Sequence, residues 1–86
     1  MQFEFDDKKS DSNKDKHGID FVEAQALWED ERYVKVPSKY LNEERYIVIG
    51  LIDGKHYSAI VTLRGENIRI ISVRRARKEE VEFYEG

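Results

Sequence analysis

The sequence predicts an α+β fold, a small antiparallel β-sheet with an N-terminal helical hairpin and a C-terminal helix. Three observations point there. Residues 45–73 contain three runs rich in Ile and Val, parted by the turn signals Asp53-Gly54 and Arg64-Gly65-Glu66. The stretch before them carries two capped helical patterns broken at His17-Gly18. The last residues form a helical pattern led by acids. At 86 residues the chain suffices for one modest core, so a single domain over 1–86 is expected.

In order, Phe3-Glu4-Phe5 alternates apolar and polar, which predicts a short strand with both phenylalanines on one face. Asp6 or Asp7 caps a helix from Lys8 to Lys16 that is polar all round and so depends on tertiary support. Gly18 ends it as a left-handed residue. Asp20 and Glu23 have capping-box spacing, and Phe21, Ala24, Leu27 and Trp28 make the apolar face of a second helix, with Ile19 as its staple. These two helices are the expected hairpin. Arg32 to Val36 alternates as a strand ended by Pro37, and Ser38 to Asn42 reads as a loop.

Strands Arg45–Ile52, Lys55–Leu63 and Asn67–Val73 then form a meander that is apolar on both faces, so both faces need cover. Simple alternation puts Arg69, Ile71 and Val73 on one side of the last strand. Ala76 to Tyr84 closes the chain as a helix, with Glu79 and Glu80 near its positive end and Phe83 or Tyr84 as anchor.

Composition narrows the function. The absence of cysteine excludes disulfides and thiolate metal sites. The longest apolar run, Ile47 to Ile52, is too short to span a bilayer, and the first twenty residues are too rich in Asp and Lys for a signal peptide, so a cytoplasmic location is expected. Net charge is −3, yet Arg64 to Lys78 holds six basic residues against one acidic. A binding face responds to local charge, so this third offers a cationic surface although the whole chain is acidic. No basic recognition helix is visible, which argues against direct duplex-DNA binding.

The sequence has no phosphate-binding glycine loop, no H-E-x-x-H and no second histidine near the first, so no metal or nucleotide cofactor is expected. An enzyme made from what remains works with Arg, His, Glu and Tyr. That set suits RNA cleavage by a 2′-hydroxyl attacking the adjacent phosphate, which needs a proton acceptor, a proton donor and cations for the phosphorane. Arg45, Arg69 and Arg75 are candidates for the phosphate; His17, a glutamate or Tyr84 are candidates for the protons.

Each residue also has a purely structural reading. Arg45 pairs with Glu43 or Glu44, Arg69 pairs across the meander, and Arg74, Arg75 and Arg77 stay solvated at a strand-to-helix junction. His17 sits at a helix C-terminus that favours it, and Tyr84 anchors a helix. His56 reads as surface beside the hairpin turn, and Trp28 as core.

Four segments together resemble one family: F-E-F-D at Phe3–Asp6, K-H-G-I-D-F-x-E-A at Lys16–Ala24, E-x-R-Y-I-V-I-G at Glu43–Gly50, and I-R-I-I-S-V-R-R-A-R at Ile68–Arg77. The sequence resembles the BrnT ribonuclease toxins of type II toxin–antitoxin modules. The resemblance implies a RelE-like fold, RNA cleavage that arrests translation, no cofactor, and neutralisation by a BrnA-like ribbon-helix-helix antitoxin that carries the DNA-binding part. It implies catalytic positions at His17, Arg45, Arg75 and Tyr84, with Glu43 in the E-x-R motif. It implies RNA-binding positions at Lys16, Arg69, Ser72, Arg74 and Arg77. The alternative is a non-catalytic module that only assembles with such an antitoxin.

Overall fold

The computed structural model describes residues 2–38 and 45–86. Five strands make one sheet in the order β1-β5-β4-β3-β2: β1 is Gln2–Glu4, β2 Val34–Pro37, β3 Arg45–Ile52, β4 Lys55–Arg64 and β5 Asn67–Arg75. Helix α1 is Asp7–His17, a 3-10 helix covers Glu23–Glu29, and α2 is Lys78–Glu85. The expected α+β class and the β3–β4–β5 meander are present.

The turn between β3 and β4 follows from its residues. Asp53 and Gly54 both take positive φ, 51° and 76°, the pair of left-handed positions that a two-residue hairpin turn requires. The first helix also forms where its caps place it. The Asp6 carboxylate accepts the amides of Lys8 and Lys9, and Gly18 ends the helix at φ 74°.

Four expectations need correction. The first strand ends at Glu4, so Phe5 lies beyond it, and β1 pairs with β5 in parallel, which makes the sheet mixed. Phe3 and Phe5 still turn inward, edge-on to Trp28 and Phe21. The segment after Asp20 winds as a 3-10 helix although its reciprocal cap forms: Asp20 Oδ1 accepts the Val22 and Glu23 amides, and Glu23 Oε1 accepts the Asp20 amide. A 3-10 helix repeats every three residues, so it aligns Ala24 and Leu27, and Phe21 in the turn just before it keeps the same spacing; all three are buried. The 3-10 helix rests on β3 and α1 on β5. Gly50 sits where the 3-10 helix comes closest: a Cβ there would lie 3.2 Å from Leu27 Cδ2 and 3.3 Å from Asp30 Oδ2.

The third correction is a bulge in β5. Val61 pairs with Ile70 but Ile60 pairs with Ser72, so Ile71 is the extra residue and the strand changes phase there. Val73 therefore joins Ile68 and Ile70 in the core, with Ile19, Phe21, Ala24, Leu27, Val48, Ala59 and Val61. Arg69, Ser72 and Arg74 lie on the other face, opposite Thr62, Ile60 and Ser58. The fourth concerns His56, which is half-buried rather than loose surface: its Nε2 lies 2.8 Å from Glu85 Oε2 and its ring meets Tyr84 edge-on.

Two polar side chains stand in for missing strands at the sheet's free edges. Asn13 Oδ1 accepts the Val73 amide at 3.1 Å while its Nδ2 donates to the Val73 carbonyl at 2.9 Å and the Ile19 carbonyl at 2.8 Å. Asp30 Oδ2 accepts the Leu51 amide at 2.9 Å. Exposed edge groups are thereby satisfied and closed to other chains. Asn13 and Ser10, whose hydroxyl accepts the Phe21 amide, are the buried residues of α1, a helix with no apolar side chain. Among the described residues, no helix is long and apolar enough to cross a membrane.

Candidate active site

The face of the sheet opposite the core reads as rows across the strands. One row runs Glu4, Arg69, Thr62, Arg45, set by the pairings Glu4↔Arg69, Thr62↔Arg69 and Arg45↔Thr62. The next is Ser72, Ile60, Ile47, Val36, and the third is Arg74, Ser58, Ile49, Val34. Helix α2 covers the third row: Ser58 and Ile49 are fully buried there. The first two rows are only partly buried. The meander thus brings Arg69 and Arg45 onto one surface two strand spacings apart, roughly 10 Å.

Arg69 is loosely held. Its Nη1 lies 3.4 Å from Glu4 Oε1, and the same carboxylate also meets Asn67 Nδ2 at 3.2 Å and Arg64 Nε at 4.0 Å. Glu4 thus shares one carboxylate among three partners, two of them at 3.4 Å or more. Glu43, the acid of the E-x-R motif, lies outside the described residues.

At the outer edge of this surface, α1 and β5 enclose a cleft of about 200 Å³ where Lys16 and His17 face Ile71 and Ser72. The bulge matters here, because it puts Ile71 and Ser72 in succession toward this side. His17 and Lys16, from the helix end, thus meet Ser72, from a strand fifty residues later in the chain, at the border of the arginine-bearing face. Among the described residues, no three His, Asp or Glu side chains are grouped to hold a metal ion.

The other candidates are placed elsewhere. Arg74 forks onto Glu80 at 2.6 and 2.8 Å under α2. Burial pushes the Glu80 carboxyl up, but the Arg74 guanidinium, the Arg77 amide and the Ser58 hydroxyl outweigh it and hold its pKa at about 2. Arg77 contributes that amide as the residue leading into α2, with its side chain exposed. Arg75 lies on the core side of the sheet, opposite Tyr57 in the ladder, with its guanidinium 5.6 Å from that ring's centre. Its Nε donates to the His56 carbonyl.

The Tyr84 hydroxyl donates to Asp30 Oδ2 at 2.6 Å, and this bond raises the pKa of Tyr84 and lowers that of Asp30. Phe83 is 61% exposed, so Tyr84 is the anchor of α2. Tyr84→Phe removes one bond at an accessible carboxylate. It is expected to lower the thermal midpoint by a few degrees and leave RNA cleavage within about twofold, measured by melting and by a gel assay. A hundredfold loss of cleavage with an unchanged midpoint would instead make the hydroxyl catalytic.

Residues 5–80 match the model of a family described as the ribonuclease toxin BrnT of type II toxin–antitoxin systems. The chain belongs to the BrnT family. No curated protein matches the sequence. Membership makes this a toxin-module protein whose family acts as a ribonuclease and is paired with an antitoxin. The BrnT match includes the Lys16–Ala24 and Ile68–Arg77 segments but stops before Tyr84.

Some of this candidate site was not legible in the sequence. Glu4 joins it only because β1 lies parallel beside β5. Thr62 enters through register, which could have been counted from the Asp53-Gly54 turn. The signal for α1 was its spacing of lysines, masked by a composition that is polar on every side.

Proposed function

We propose that this BrnT-family chain is a metal-independent endoribonuclease that cuts RNA by 2′-hydroxyl attack. Arg69 and Arg45 hold the reacting phosphate, and His17 moves a proton. The observation that carries the reading is the Glu4–Arg69–Thr62–Arg45 row on the partly open sheet face, with His17 and Ser72 in a cleft at its edge. Guanidinium forks match phosphate oxygens and stabilise the extra negative charge of a phosphorane. The proton leaves the 2′-oxygen, the phosphorus–5′-oxygen bond breaks, and the 5′-oxygen takes a proton, leaving a 2′,3′-cyclic phosphate. His17 is the histidine of that cleft and suits one of these transfers.

The reading includes a RelE-like fold, supported by a mostly antiparallel sheet with helices against it, and a cytoplasmic location, where the substrate is. A BrnA-like antitoxin would cover the same face. The half-buried apolar row Ile60, Ile47, Val36 beside the arginines suits an acidic, amphipathic segment that folds on binding.

Purified Arg45→Ala, Arg69→Ala and His17→Ala, each checked to be folded, are expected to lose at least about tenfold in cleavage rate. The parent should release cyclic-phosphate ends in the presence of a chelator. Three variants that cut like the parent would overturn these assignments. A parent that leaves RNA intact while binding its antitoxin would favour the non-catalytic module.

A further inference from the structure

Helix α1 has no apolar face, yet its charges are sorted. At about 100° per residue, Lys9, Ser12 and Lys16 fall on one side with Asn13 and His17, while Asp7, Asp11 and Asp15 fall on the opposite side. The first group lines the cleft against Ile71 and Ser72, and no carboxylate takes part in that lining. Lys14, which points elsewhere, is paired with Glu23 at 2.7 Å. By contrast, the side chains of Lys9, Ser12, Lys16, His17 and Ser72 have no hydrogen-bond or ion-pair partner among the described residues. In a chain with 18 acidic residues against 15 basic ones, a cleft with two lysines, a histidine, two hydroxyls and no acid is an anion site by composition.

Its position says which anion. Ser72 is on the same sheet face as Arg69, and the cleft opens at the border of that face. A strand of RNA whose reacting phosphate lies on Arg69 and Arg45 runs off the sheet edge beside α1. From this we infer that Lys9 and Ser12, with Lys16 and Ser72, form a second phosphate subsite, which takes a backbone phosphate of single-stranded RNA flanking the one that is cut. The inference rests on the ribonuclease reading for the direction of the strand, and adds Lys9 and Ser12 to the RNA contact. The subsite recognises backbone rather than base, since its four groups are cations and hydroxyls and no Phe, Tyr or Trp lines the cleft.

The test is binding of a 2′-O-methyl single-stranded oligoribonucleotide, which cannot be cut, over a range of salt concentrations. Lys9→Gln with Ser12→Ala is expected to weaken binding about tenfold and to flatten the salt slope by about 0.7, the contribution of one single-strand phosphate contact. Lys8→Gln removes the same charge one residue away on the outward side of α1 and is the control, expected to bind like the parent. Equal affinity of the double variant and the parent, or an equal loss in the control, would overturn the subsite while leaving the cleavage reading intact. A parent that binds the oligonucleotide with this dependence on Lys9 and Ser12, but cuts no RNA, would uphold the subsite and refute the cleavage reading.

Discussion

Glu80→Ala is expected to cost about 3–5 kcal/mol, because it strands a charge under α2. The Glu80 carboxylate takes both Arg74 nitrogens, the Arg77 amide at 2.7 Å and the Ser58 hydroxyl at 2.9 Å. Ser58 is fully buried and the Arg74 side chain is only 20% exposed, so neither finds adequate water once the carboxylate has gone. For a small domain with roughly 5–15 kcal/mol of stability, that loss can unfold much of the population. Glu80→Gln should fall between, since it keeps one acceptor. Replacing both Arg74 and Glu80 with Met should recover part of the loss. Urea titration reads all three, and a loss below about 1 kcal/mol for Glu80→Ala would show that the pair is not structural.

The same carboxylate makes stability depend on pH. Its folded pKa of about 2 lies below the ordinary 4.5, so the unfolded chain binds more protons between those values and stability rises with pH there. The contribution, on the order of 3 kcal/mol, is complete above 4.5 and is lost as the pH falls toward 2. Glu80→Gln should abolish this segment of the pH profile.

Asn13→Ala is expected to cost about 2–4 kcal/mol and to free α1 before the rest of the chain opens. The substitution removes three hydrogen bonds and leaves the amide and carbonyl of Val73 unpaired at the sheet edge. An apolar helix face would compensate, but α1 has none. Hydrogen exchange should therefore show the α1 amides losing protection while those of β3 and β4 keep theirs. Cleavage should fall as well, although Asn13 itself need not touch RNA, because Lys16 and His17 ride on α1. Asn13→Asp keeps the acceptor for the Val73 amide but loses both donated bonds, and should not rescue the fold. Uniform loss of protection across the sheet would refute a separable α1.

How far the sequence could be read depended on how local each cause was. The caps at Asp6 and Gly18, the Asp20–Glu23 reciprocal cap and the left-handed pair Asp53-Gly54 each act within a few residues, and all four formed where their chemistry required. Alternation failed at one point. The bulge at Ile71 leaves Ile68 and Ile70 in phase but transfers Val73 to the core and Ser72 to the open face, and nothing within β5 announces it. The 3-10 winding of Glu23–Glu29 was hidden for a similar reason: a spacing of three and four suits an α-helix until the sheet selects the single column Phe21, Ala24, Leu27. For the arginines, residue type was informative and position was not. Arg69, Arg74 and Arg75 lie within seven residues, yet one meets Glu4, one is locked to Glu80 and one lies against Tyr57 on the other face.

By itself the sequence determined the β3–β4–β5 meander, the first helix, the tight turns and, through its motifs, the BrnT family, because backbone sterics, caps and apolar periodicity are written in neighbouring residues. Only the tertiary structure decided which cations are locked into the fold and which lie on the partly open sheet face. That choice depends on pairings such as Asn13 with Val73, sixty residues apart, and Glu4 with Arg69, sixty-five apart. A charge becomes structural or functional according to the partner that folding brings to it, and that partner is not its neighbour in the chain.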